Sequence, residues 1–82
     1  MLSREEIQTT CRKKSISALD IARASTRMAL RGSIDQEINE RTARRVLHDG
    51  NPTHSTVARV SKAVEYILRN RQKKARKERA AA

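Results

Sequence analysis

Residues 38–60 read INERTARRVLHDGNPTHSTVARV. Asn39 is a good helix cap, and it stands before ERTARRVL, where Ala43, Val46 and Leu47 recur at helical spacing. Gly50 is a natural stop just past a helix, and Pro52 cannot continue one. Thr53 or Ser55 then restarts the chain as a cap. The stretch therefore predicts a short helix, a Gly-Asn-Pro break and a second helix. With the apolar residues on one side of the first, Glu40, Arg41, Arg44, Arg45 and His48 fall mainly on the other. An arginine run is usually a solvated face or a disordered tail; the caps and breaks around this one predict arginines held in a fixed geometry.

Downstream, Val57, Val60, Val64 and Ile67 form an apolar stripe with Leu68 beside it, so a helix is expected to about Asn70. Upstream, Ser3 and Glu6 make the S-x-x-E pattern that opens a helix. Leu2, Ile7 and Cys11 supply its apolar side, and Arg12, Lys13 and Lys14 suit its C-terminal dipole. Ser15 or Ser17 caps the next helix, with Leu19, Ile21, Ala22, Ser25, Met28 and Ala29 as its inward stripe and Arg31-Gly32-Ser33 as its end. Between Ser33 and Glu37 a further turn of helix capped by Ser33 is open, as is a longer second helix that tolerates Gly32.

The chain has 82 residues, enough for one small core. Tyr66 is its only aromatic residue, and two glycines and one proline leave few tight turns. Such a composition predicts an all-α fold of four to five helices built from Leu, Ile, Val, Ala and Met. A domain over residues 1–70 and a basic C-terminal tail over 71–82, able to prolong the last helix, complete the expected organisation. The net charge is +10, the footprint of a polyanion binder in so short a chain. Half of that surplus lies in the tail, where six Lys/Arg face Glu78 alone. Cys11 has no partner cysteine and reads as a small core residue. The first residues are charged and no apolar run approaches a membrane span, so a cytoplasmic, nucleoid-associated protein without membrane contact is expected.

The block from Ile38 to Val64, INERTARRVLHDGNPTHSTVARVSKAV, resembles the second half of the helix-turn-helix domain of lambda-repressor-like regulators, including the Xre/HigA and LacI types. The match runs through Ile38, Asn39, Glu40-Arg41, Thr42, Ala43, Arg44, Arg45, Val46-Leu47 and, two residues late, Gly50. LDIARAS at 19–25 resembles the family's scaffold helix. The intervening TRMALRGSIDQE at 26–37 makes the connection about eleven residues too long, close to three helical turns. A scaffold helix lengthened to end near Gly32 accommodates the excess; the other solution makes Ser33–Glu37 the scaffold helix itself.

The resemblance implies a small regulator of the phage or plasmid type, a repressor that binds double-stranded DNA at a palindromic operator as a homodimer. By position, Glu40, Arg41 and Arg45 would face base edges, with Arg44 on base or backbone. Asn39, Thr42 and His48 would hold phosphates, together with Thr53, His54 and Ser55 at the next helix start. Lys73, Lys74 and Arg76 would add contacts independent of sequence. Val64, Ile67 and Leu68 offer either a dimer surface or closure of the monomer core. Rival readings are an RNA or nucleoid binder that uses charge alone, and an antitoxin-like or phage-type protein-interaction module. The lack of stacking aromatics argues against single-strand recognition. No phosphate loop, paired carboxylates or nucleophile–base pair points to an enzyme, and no residue set points to a metal or cofactor.

Overall fold

The computed structural model describes the backbone of residues 1–48 and 50–81, and within them the side chains as far as residue 77. Four helices follow in order: α1 (Arg4–Lys14), α2 (Ala18–Leu30), α3 (Glu40–Leu47) and α4 (His54–Ala81), with no strand among the described residues. The fold is all-α. The side chains of residues 78–82, the last part of the expected tail, lie outside the described residues.

Local chemistry sets each boundary. Ser3 Oγ accepts the Glu6 N–H while the Glu6 carboxylate accepts the Ser3 N–H, a complete capping box on α1. α1 ends at Ser15, which takes a left-handed backbone (φ 54°, ψ 48°) so that the Ile16 N–H turns back to Cys11 O at 2.9 Å. Of the two candidate caps for α2, Ser17 holds the position, in a second capping box closed by Asp20. Gly32 (φ 75°) ends α2 in a Schellman motif: the Ser33 N–H donates to Met28 O at 2.9 Å and the Gly32 N–H to Ala29 O at 3.1 Å. α2 therefore ends just before Gly32, as the reading with a longer second helix expects. Ser33–Glu37 is not helical, and the alternative that made it the scaffold is overturned.

The residues between α2 and α3 form an irregular link pinned by two apolar anchors, Ile34 and Ile38, both buried. A conventional helix-turn-helix joins its helices with about three or four residues; here nine intervene. Ser25 fixes their exit. The Ile38 N–H donates to Ser25 Oγ at 2.8 Å, and the buried hydroxyl lies 2.7 Å from Ala22 O and 3.0 Å from Ile38 O, so its one proton always has an acceptor.

α2 is the central element and packs on both α3 and α4. Its buried line is Ala18, Ile21, Ala24, Ser25 and Met28. Leu19, expected on that line, is 41% exposed, because two residues from Ile21 is about 200° of helix rotation. Ile7 and Cys11 enter the core from α1, Ala43 and Val46 from α3, and Val60, Ala63 and Val64 from α4. Val57, Ile67 and Leu68 pack half-buried at its margin. Val64 is fully buried, so closure of the monomer core accounts for it, and it offers no dimer surface. α4 continues unbroken across Asn70, and Arg71 donates to Lys14 O at the end of α1.

Candidate nucleic-acid interface

α3 has eight residues and starts as its sequence predicts. Asn39 Oδ1 accepts the Thr42 N–H at 2.8 Å, and the Ala43 N–H donates to Asn39 O. Ala43 and Val46 are fully buried and root the helix on α2, while Arg41, Arg44, Arg45 and His48 lie on the exposed arc. His48 caps the helix end and its N–H bonds Arg44 O at 2.9 Å.

So short a helix has little intrinsic stability, and its C-terminus is held from outside. Arg4 on α1 donates through Nε to Val46 O (3.2 Å) and through Nη2 to Arg45 O (3.1 Å) and Gly50 O (3.0 Å). Gln8, one turn on, donates its side-chain amide to the same Val46 O at 3.1 Å. Two of the carbonyls that the end of a helix leaves without partners, Arg45 O and Val46 O, are thus met by α1. Sequence reasoning missed Arg4, Gln8 and Ser25 as residues that position α3. Arg4 and Gln8 share a face of α1 at i, i+4, but nothing in that spacing says which carbonyls they reach.

The four expected base-reading residues are not equivalent. Arg44 donates to the Glu40 carboxylate at 2.6 Å in an exposed i, i+4 ion pair, so these two side chains engage each other. Arg41 stands on the crest of the arc. Arg45 has its Cβ close to Gly50, where an added Cβ would approach it to 3.2 Å. Gly50 (φ 131°) therefore permits both a backbone that L-residues rarely adopt and the close passage of Arg45.

Two hollows flank the arc. One, of about 490 Å³, joins Thr42 and Arg45 to Gly50, Pro52, Thr53 and Thr56 at the start of α4. Of the two candidate caps there, Thr53 holds the position: its Oγ1 accepts the Thr56 N–H at 3.3 Å and lies 2.9 Å from Thr56 Oγ1, and the Val57 N–H donates to Thr53 O. His54 and Ser55 are exposed on the first turn of α4, beside this hollow but not lining it. The other hollow, of about 400 Å³, brings Glu40, Arg44 and His48 against Arg12 of α1 and Leu19 of α2.

Lys73, Lys74 and Arg76 are exposed on α4, and Lys73 lies about 28 Å from the start of that helix at 1.5 Å per residue. The structure does not gather them with the cap residues at the other end of α4. Cys11 is buried in the core; burial, with the Asp20 carboxylate adding to it, pushes its thiol up to about 11, so it stays protonated and unreactive at neutral pH. Among the described residues no group of three or more His, Cys, Asp and Glu is placed to hold a metal ion. No helix among them is long and apolar enough to cross a membrane. A scan of protein-family models, a search of curated proteins and a search of solved structures each find no match to the chain.

Proposed function

We propose that this protein is a sequence-specific double-stranded DNA-binding regulator, a repressor of the lambda-repressor-like kind, that reads the major groove with α3. The observation that carries the reading is the exposed arc of Arg41, Arg44 and Arg45 on a helix rooted by Ala43 and Val46 and clamped by Arg4. Such a helix is narrow enough to enter the major groove, and arginine can meet guanine's two acceptors with two parallel hydrogen bonds.

Arg41 and Arg45 are the base readers. Arg44 reads only when its pair with Glu40 opens, which gives Glu40 the role of holding Arg44 until a base or phosphate competes for it. Asn39 spends its carbonyl oxygen on the cap and keeps its amide N–H groups for a phosphate. The hollow between Thr42, Arg45 and the first turn of α4 suits a backbone phosphate, because free amides and the helix dipole both favour an anion there. His54 and Ser55 stand beside this hollow and His48 lines the other one, so phosphates on either side of α3 come within their reach. Two copies on a two-fold axis would set two α3 helices in successive major grooves about 34 Å apart and make the operator a palindrome. A nucleoid location follows from the same chemistry.

The test is selection of bound sites from random duplex DNA, followed by binding of variants to the recovered site. Enrichment of a palindrome is expected. Arg41→Ala and Arg45→Ala should each cost about 1–3 kcal/mol on that site and relax base preference, whereas Arg76→Ala should weaken all sequences alike. Arginine variants that still discriminate the site would refute the assignment of α3. Equal binding of every sequence would favour the second reading, a nucleic-acid binder that uses charge alone, for which the excess of cations along α4 speaks.

A further inference from the structure

A second cationic feature lies away from α3, in the trough where the latter half of α2 faces the far half of α4. Arg23 and Arg27 come from α2 and Arg71 and Lys74 from α4, around a hollow of about 330 Å³. Arg31 continues the α2 row at the same four-residue interval and lies over the Tyr66 ring at 6.0 Å. Ala24 and Ile67 contribute apolar floor, and Tyr66 and Asn70 contribute polar groups.

Like charges at i, i+4 repel along a helix, and among the described residues the lining of the trough sets a single carboxylate against four cations. Among the described residues Arg23, Arg27 and Lys74 form no ion pair. That carboxylate, Asp20, accepts the Ser17 N–H at 3.0 Å as part of the α2 cap and, lying near Arg71 and Arg23, offsets only part of their charge. Arg71 is anchored by its bond to Lys14 O, which holds its charge at the trough's edge. The positive field reaches Tyr66: its phenol is held below the usual range, first by Asn70 and then by Arg31, Arg27 and Lys73. From Arg23 to Arg31 the row spans about 12 Å, longer than one phosphate group.

We propose that this trough is a second anion site, distinct from α3, that takes a run of two or more linked phosphates. Cations from two helices line opposite walls, so consecutive phosphates can lie between them with each flanked from both sides. Linked phosphates come either from a nucleic-acid backbone or from a free polyphosphate, and the chemistry recognised is the same.

The test is titration of the whole ¹⁵N-labelled protein, followed by backbone amide shifts, with inorganic tripolyphosphate and separately with a short duplex of random sequence. The Ala24, Ile67 and Asn70 amides should shift saturably. The exchange Arg23→Gln with Arg27→Gln should weaken that response about tenfold or more, and Arg23→Lys with Arg27→Lys should retain most of it. Both arginines are exposed, and a dispersed spectrum with an unchanged melting temperature confirms that each variant folds. Response to the duplex at lower concentration names the backbone as the source; the reverse order names a free polyphosphate. Absence of saturable shifts in the trough with both probes overturns the proposal, as does a response that survives the glutamine pair. Shifts of the Arg41 and Arg45 amides with operator DNA report on α3 separately, so either site can fail without the other.

Discussion

Arg4 reaches three carbonyl oxygens of the α3–α4 corner with one guanidinium. The planar fork makes this possible; a lysine ammonium on a similar stem could not serve all three in that geometry. Arg4→Ala is expected to lower stability by about 1–2 kcal/mol in urea denaturation, since bonds from a charged donor are lost but water can reach part of the site. Arg4→Lys should recover only part of the loss. On the proposed DNA-reading role of α3, site discrimination should also fall in Arg4→Ala, although the residue lies on α1, far in sequence from the arginine arc. Such effects were not legible beforehand. The sequence announces caps, because a cap and its partner sit three residues apart; Ser3, Ser17 and Asn39 were each readable in that way. It does not announce a guanidinium whose acceptors lie more than forty residues along the chain.

At the scale of elements, the end of α1 holds an avoidable strain. Ser15 adopts φ 54° without being glycine, and that region costs an L-residue about 1 kcal/mol or a little more. Ser15 is exposed, and Ser17 is the cap of α2. Ser15→Gly is therefore expected to raise stability by up to about 1 kcal/mol, seen as a higher melting temperature, the gain being limited by the freedom glycine adds to the unfolded chain. A lower melting temperature would mean that the serine side chain has a role at this turn. All four helices were legible from apolar spacing and punctuation. The inward line of α2 was legible at Ile21, Ser25 and Met28; Ala22 and Ala29 are only half-buried, and the buried Ala18 and Ala24 were missed. At Leu19, counting an apolar residue as core overrode its angular position. The link between α2 and α3 was not, because Ile34 and Ile38 are four apart and imitate helical spacing while anchoring an irregular segment. Gly32, with its positive φ, was the better guide there.

Across the whole molecule, titration behaviour separates the acid and alkaline ends. Glu6 and Asp20 are held below their ordinary values by their cap hydrogen bonds to Ser3 and Ser17, and Asp35 by its paired bonds to Arg59. Groups depressed on folding stabilise above their unfolded values and lose that contribution as pH falls through the folded ones, so stability should decline below about pH 4. Cys11 acts at the other end. Its thiol is raised from 9.0 to about 11, so the unfolded chain loses this proton first and the thiol's contribution falls between those values. Denaturation of wild type and Cys11→Ala across that range should give curves that converge with rising pH, the variant lacking the thiol's slope; parallel curves would show that Cys11 titrates normally.

α4 runs for 28 residues, about 42 Å at 1.5 Å per residue, in a molecule whose longest dimension is 45 Å. One hollow proposed for a phosphate lies at its start and the cationic trough lies toward its far end, and no joint separates them. From Thr56 to Asn70 is about 21 Å of continuous helix, close to six steps of B-form DNA at about 3.4 Å each. The helix is in this sense a gauge. Whatever spans both ends must carry its charges at an interval that the covalent chain has already set, and inserting or deleting a residue between Val60 and Val64 would alter that interval and turn one end about 100° against the other.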